Sequence, residues 1–217
     1  MADRCGGESE GQDGACALSI SHARAAALSV IVGVVACGKS TSTPAVAPTP
    51  VPIASGAICG EERWNLKTLS DLDAIRVDFV GVTPTTIAAL NSLTPHCSGL
   101  PDVRTFAEEF RVFEAIGLVQ LTRNEDDRDV HIALADPADP SRTIVVEVAD
   151  PSCAGAVQSP FVSMLSQAKI QFGSLGPIVG KRVRVRGVGF YDFAHGQTGR
   201  SQSCIELHPV LSMMLEP

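Results

Sequence analysis

A handful of histidines and acids carry whatever chemistry this 217-residue chain can do. The turn Glu125-Asp126-Asp127-Arg128-Asp129 runs into His131. In an extended strand Asp129 and His131 point to one face, opposite Val130 and Ile132. Carboxylates beside an imidazole suit a divalent cation, although the spacing does not match a calcium loop. The plainer reading is a solvated turn whose charges cap strand ends. A second group is Asp192, His195, Gln197, Thr198 and Arg200, spread through a glycine-containing loop. His195 with Asp192 has the makings of a base and its orienting acid, but no Gly-x-Ser-x-Gly or other nucleophile accompanies them. Alternatively, His195 and Gln197 hydrogen-bond the loop into shape while Gly196 and Gly199 supply positive φ. Third come Glu206 and His208, which alternate away from Ile205 and Leu207. Pro209 follows them and disturbs a strand ladder, so they read as a His–Glu pair near an edge or bulge. Last is the stripe Arg182, Arg184, Arg186, at period two. It either meets a polyanion or pairs across strands with acids such as Glu109 or Glu114. Phe190, Tyr191 and Phe193 are its only nearby aromatics, whereas single-strand recognition needs stacking and charge on one face.

Strands and loops must position these groups. Residues 109–122 are rich in β-branched and aromatic types and read as one long bent strand, with Gly117 as its bulge. Alternation marks strands at 130–136 and 142–150. The period then changes: over 159–172, Phe161, Leu165, Ala168 and Phe172 share a helical face, with Ser159 and Pro160 as a helix start. Strands follow at 181–193 and 204–214, with Gly187 and Gly189 as bend points. The segment 83–93 reads as a short helix or turn, and 60–80 is left without an assigned element. Three strands, a helix and two strands is the order of the five-stranded Greek-key barrel called the OB-fold. The expected fold is therefore mainly β with one helix, OB-like, with an N-terminal extension. In that order the turn 123–129 joins strands one and two, and the loop 193–203 joins strands four and five. These loops flank the usual OB ligand face.

The N-terminal quarter has a different character. Residues 25–35, AAALSVIVGVV, are too short to span a bilayer and fit the apolar core of a signal peptide. Val34-Val35-Ala36-Cys37 resembles a bacterial lipobox, which implies cleavage before Cys37 and a lipid on its sulfur. The acidic residues 1–21 fit the start of such a segment poorly and point to an effective start near Ser21–Arg24. Residues 38–57 hold four prolines and no acid, the composition of an extended tether. The expected organisation is 1–36 for export, 37–57 as lipidated cysteine and tether, and 58–217 as one domain. Net charge is −7. An acidic chain has no general attraction for phosphate backbones, so sequence-independent nucleic-acid binding is disfavoured. Of seven cysteines, Cys5 and Cys16 fall in the export segment and Cys37 takes the lipid. Cys59, Cys97, Cys153 and Cys204 remain, an even set for an oxidising compartment, and spacing leaves three pairings open. No zinc-type Cys/His spacing occurs.

The blocks GEERWNLKTLSD (60–71), EDDRDVHIAL (125–134), EVADPSC (147–153), GFYDFAHGQTG (189–199) and IELHPVL (205–211) resemble a group of exported bacterial proteins without an established activity. The resemblance covers most of 59–211. It implies secretion and a single domain, and its pattern around Cys97 and Cys204 implies the pairs Cys97–Cys204 and Cys59–Cys153. The resulting expectation is a non-enzymatic, lipid-anchored envelope module without a cofactor or resident metal. It binds a small ligand or an envelope protein through 123–129 and 193–203, with Asp129, His131, His195, Gln197 and Arg200 as contacts. The competing expectations are a metal-dependent hydrolase using Asp129, His131, His195 and His208, and a purely structural envelope module.

Overall fold

A computed structural model describes residues 59–60 and 62–217. The export segment, Cys37 and the tether lie outside the described residues. Five strands close a barrel: β2 (Arg111–Asn124), β3 (Val130–Ala135), β4 (Thr143–Val148), β5 (Arg182–Tyr191) and β6 (Ile205–Leu215). They run in the order β2-β3-β4-β6-β5, and β2 pairs back onto β5. All neighbours are antiparallel except β4 and β6, which run parallel. Helix α3 (Val162–Ser174) stands between β4 and β5 in sequence, so both the content and the order are those of an OB-like barrel.

Closure depends on β2. Its first half, Val112–Leu118, pairs with β5, and its second half, Leu118–Asn124, pairs with β3. A single strand serving two partners must bend, and the register slips between Val119 and Leu121. The irregularity is therefore not at Gly117. That glycine instead permits close packing: a Cβ there would lie 2.9 Å from both Ile87 and Leu134 side chains. Gly187 and Gly189 of β5 do sit at register shifts between β5 and β6, opposite the stretch of β6 that contains Pro209.

Alternation sorts the strand residues. Val130, Ile132 and Leu134 of β3, Ile144, Val146 and Val148 of β4, Val183 and Val185 of β5, and Ile205 and Leu207 of β6 pack into one core. Burying each such side chain stabilises by about 1.5–3 kcal/mol. A second apolar cluster joins Leu165 of α3 to Leu69, Val77, Val112 and Val188.

The N-terminal extension contributes α1 (Trp64–Lys67), β1 (Asp78–Pro84) and α2 (Ile87–Asn91). Strand β1 adds to the barrel parallel to β2. Sequence reading leaves it unassigned for a physical reason: its residues are exposed or half-covered, Val80 is out in solvent, and no alternation results. Two disulfides, Cys59–Cys153 and Cys97–Cys204, tie this extension to the barrel. They are the pairs that the family resemblance implies. Such bonds persist in oxidising, extracytoplasmic compartments. Among the described residues no helix is long and apolar enough to cross a membrane.

Candidate functional site

The outward faces of β3, β4 and β6 carry the polar residues that alternate with the core. His131 and Glu147 are direct cross-strand partners. Strand β4 lies between β3 and β6, so the Glu147 carboxylate has a histidine on each side. Its Oε1 is 2.9 Å from His131 Nδ1, and its Oε2 is 2.9 Å from His208 Nδ1. Beyond His208, Asp129 Oδ2 lies 3.1 Å from Nε2. Asp129 Oδ1 is taken by the Asp150 amide at 2.8 Å. All four residues are buried.

The loop between β5 and β6 covers this row. His131 Nε2 meets the Thr198 carbonyl at 2.8 Å. Gly199, at φ +89°, lies so close to β3 that a Cβ would fall 2.4 Å from that of Ala133. The disulfide at Cys204 anchors the far end of the loop. The usual OB ligand face is thus occupied by the protein's own loop.

Electrostatics follow from this packing. Burial opposes charge on His208, but Asp129 and Glu147 on either side outweigh it and raise its pKa to about 10. Burial likewise opposes protonation of His131, yet Glu147 and the Thr198 carbonyl raise its pKa. Glu147 is held well below the ordinary carboxylate range despite its burial, by His131 and His208. Glu206 goes the other way: burial, then Glu147 and Asp192, push it up to about 8. Lys67 of α1 stays charged, because Asp192, Glu147 and Glu206 overcome its burial. At neutral pH both His208 and Glu206 therefore carry their protons.

Next to this row a cleft of about 590 Å³ opens to solvent, lined among others by Glu62, Lys67, Arg123, Glu125, Asp126, Asp127 and His195. Its size falls within the range of small-molecule sites. Arg123 pairs with Glu125. On the opposite wall Asp192 Oδ2 lies 3.3 Å from His195 Nε2 and 3.8 Å from Lys67 Nζ.

The residues singled out from sequence therefore divide. His195 is half-exposed on the cleft. Gln197 accepts from the His195 amide and donates to the Phe193 carbonyl and to Glu206, which shapes the loop. Arg200 donates to the Ser201 carbonyl and to Cys204 Sγ. Asp129, His131 and His208 gather around Glu147, while His195 stands apart with Asp192. His208 pairs with Asp129 and Glu147 rather than with Glu206. In the arginine stripe, Arg184 and Arg186 both bind Glu114, and Arg184 also binds Glu216. Glu109 instead pairs with the buried Arg63.

Sequence reasoning missed Glu147, Lys67 and Glu62. Glu147 had a legible signal, being a lone acid at an outward position in an otherwise apolar strand. Lys67 and Glu62 had none, because they reach the site only through the fold of the extension. No protein-family model matches the chain, and no curated protein matches it.

Proposed function

We propose that this protein is a non-enzymatic, lipid-anchored envelope module that binds a small cationic ligand in the cleft between the β2–β3 turn and His195. The observation that carries this reading is the cleft itself. It opens where the two OB loops meet, and it presents four acids (Glu62, Glu125, Asp126 and Asp127) against Lys67 and Arg123. Arg123 is already committed to Glu125, so a cationic group meets unneutralised carboxylates on Asp126 and Asp127. Asp129 and His131 support the β2–β3 turn from beneath and make no direct contact in this reading. The hydrolase reading has less support. Asp129, His131 and His208 are enclosed under the loop, out of reach of a substrate, and His195 stands apart from them.

Titration of the full chain with spermidine and with lysine amide, followed by amide chemical shifts, tests the proposal. Saturable shifts confined to 123–127, Lys67 and His195 are expected, weakened at least about tenfold by Asp126→Asn with Asp127→Asn, a loss of roughly 1.4 kcal/mol. The absence of saturable binding, or equal binding of acetamide, overturns it and leaves the structural-module reading.

A further inference from the structure

The two disulfides differ in their surroundings, and the difference is independent of the ligand reading. Cys153 is fully buried, and its Sγ lies 3.7 Å from the Asp127 carbonyl oxygen. An electron-rich neighbour gives no help to a departing thiolate. Cys204 is buried too, but its Sγ faces the Arg200 guanidinium, with Nη1 at 3.0 Å. The other acceptor of Arg200 is the Ser201 carbonyl, and among the described residues no carboxylate neutralises it. A guanidinium beside a cysteine sulfur favours its thiolate form. Cys204 also holds a backbone φ of +63°. That left-handed conformation is strained for a residue with a side chain, and such strain clusters at functional positions.

The other end of the same bond is the one that solvent reaches. Cys97 is half-covered, and Pro95, Ser98 and Gly99 around it are exposed. A Cβ on Gly99 would meet nothing within 4 Å. Cys59 is half-covered as well, so access alone does not separate the two bonds. The leaving sulfur does, because exchange is faster when the departing thiolate is better stabilised. The β5–β6 loop also has holds besides the bond. Ser203 Oγ donates to the Leu90 carbonyl at 2.8 Å, the Gln202 amide to Asn91 Oδ1 at 2.9 Å, and the His96 amide to the Ser203 carbonyl at 3.1 Å. Opening the bond therefore leaves the two sulfurs close enough to rejoin.

We propose that Cys97–Cys204 is an exchange-active disulfide, reduced reversibly by a dithiol, with Cys97 as the attacked sulfur and Cys204 as the leaving thiolate held by Arg200. One thiolate of the dithiol bonds to Cys97 Sγ as the Cys97–Cys204 bond breaks, and the electron pair leaves on Cys204 Sγ beside the guanidinium. The second thiolate then attacks its companion sulfur in the mixed disulfide and expels Cys97 as a thiolate. The dithiol ends as a disulfide, and its two protons pass to the released sulfurs or to water. The protein is two electrons richer, and Cys59–Cys153 stays closed.

The test uses the full oxidised chain with dithiothreitol, quenched at intervals by alkylation and read by peptide mass mapping. Cys97–Cys204 is expected to open at least about tenfold faster than Cys59–Cys153, with the far-ultraviolet circular dichroism unchanged. Arg200→Gln should slow that opening at least about threefold, and Arg200→Lys, which keeps the cation, should restore it. With glutathione, a monothiol, the trapped adduct is expected on Cys97, with Cys204 alkylated. Rates within about threefold of each other for the two bonds overturn the proposal, as does opening that occurs only in step with unfolding. An unchanged rate in folded Arg200→Gln overturns the role of the guanidinium. If that variant fails to fold, the glutathione adduct on the wild type decides, and an adduct on Cys204 overturns the assignment.

Discussion

Arg63 shows how one side chain joins the extension to the barrel. Fully enclosed, its guanidinium donates to Glu109 Oε1 at 2.7 Å and to the carbonyls of Pro101, Val103 and Tyr191, and it lies over the Phe190 ring. Removing it strands the Glu109 charge in the interior, an effect worth about 3–5 kcal/mol. Arg63→Met is therefore expected to lower the unfolding free energy by about that much in urea titration. Adding Glu109→Gln removes the stranded charge but keeps an acceptor for the Thr105 and Phe106 amides, and should recover part of the loss. A loss under about 1 kcal/mol, the scale of a surface pair, would show that Arg63 is not a buried anchor. Nothing in the sequence around Arg63 marks it, because its partners lie as far as 128 residues away.

Among the elements, β2 and β5 are held on their outer face by charge as well as by the ladder. Arg186 and Arg184 hydrogen-bond to Glu114 and hold its pKa below the ordinary value of 4.5. A carboxyl depressed in the folded state adds stability at pH values above its unfolded pKa. That contribution is lost as pH falls through the folded value. The stability difference between wild type and Glu114→Gln should thus be constant above about pH 5 and shrink in more acid solution, as read from denaturation midpoints at several pH values. A difference that grows below pH 4 would contradict this sign. Alternation predicted that the arginine stripe would find acids across the sheet. It did not distinguish Glu114 from Glu109, since the choice depends on strand register.

For the molecule as a whole, two long-range disulfides offset the small size of the barrel core. They close loops with sequence separations of 94 and 107 residues. Crosslinks of that span stabilise by about 2–5 kcal/mol each, largely by restricting the unfolded chain. Cys59→Ser with Cys153→Ser, and Cys97→Ser with Cys204→Ser, are each expected to lower stability by that amount in guanidinium titration. An unchanged midpoint in reductant would refute the expectation. The Cys97–Cys204 pair also anchors the loop over the β3–β4 face, so its removal should speed hydrogen exchange around Thr198.

Local pattern by itself determined five barrel strands, their helix and their order, because period-two and period-3.6 burial are properties of contiguous residues. It also placed His131, Glu206 and His208 on outward faces. Only the tertiary structure decided who their partners are. Alternation says which way a side chain points but not which strand runs alongside. Strand β4 lies between β3 and β6 because the chain crosses over through α3 before the barrel closes, and that crossover sets Glu147 between His131 and His208. The same closure folds the β5–β6 loop onto its own sheet, burying Asp129 and His131 and leaving His195 to face the cleft.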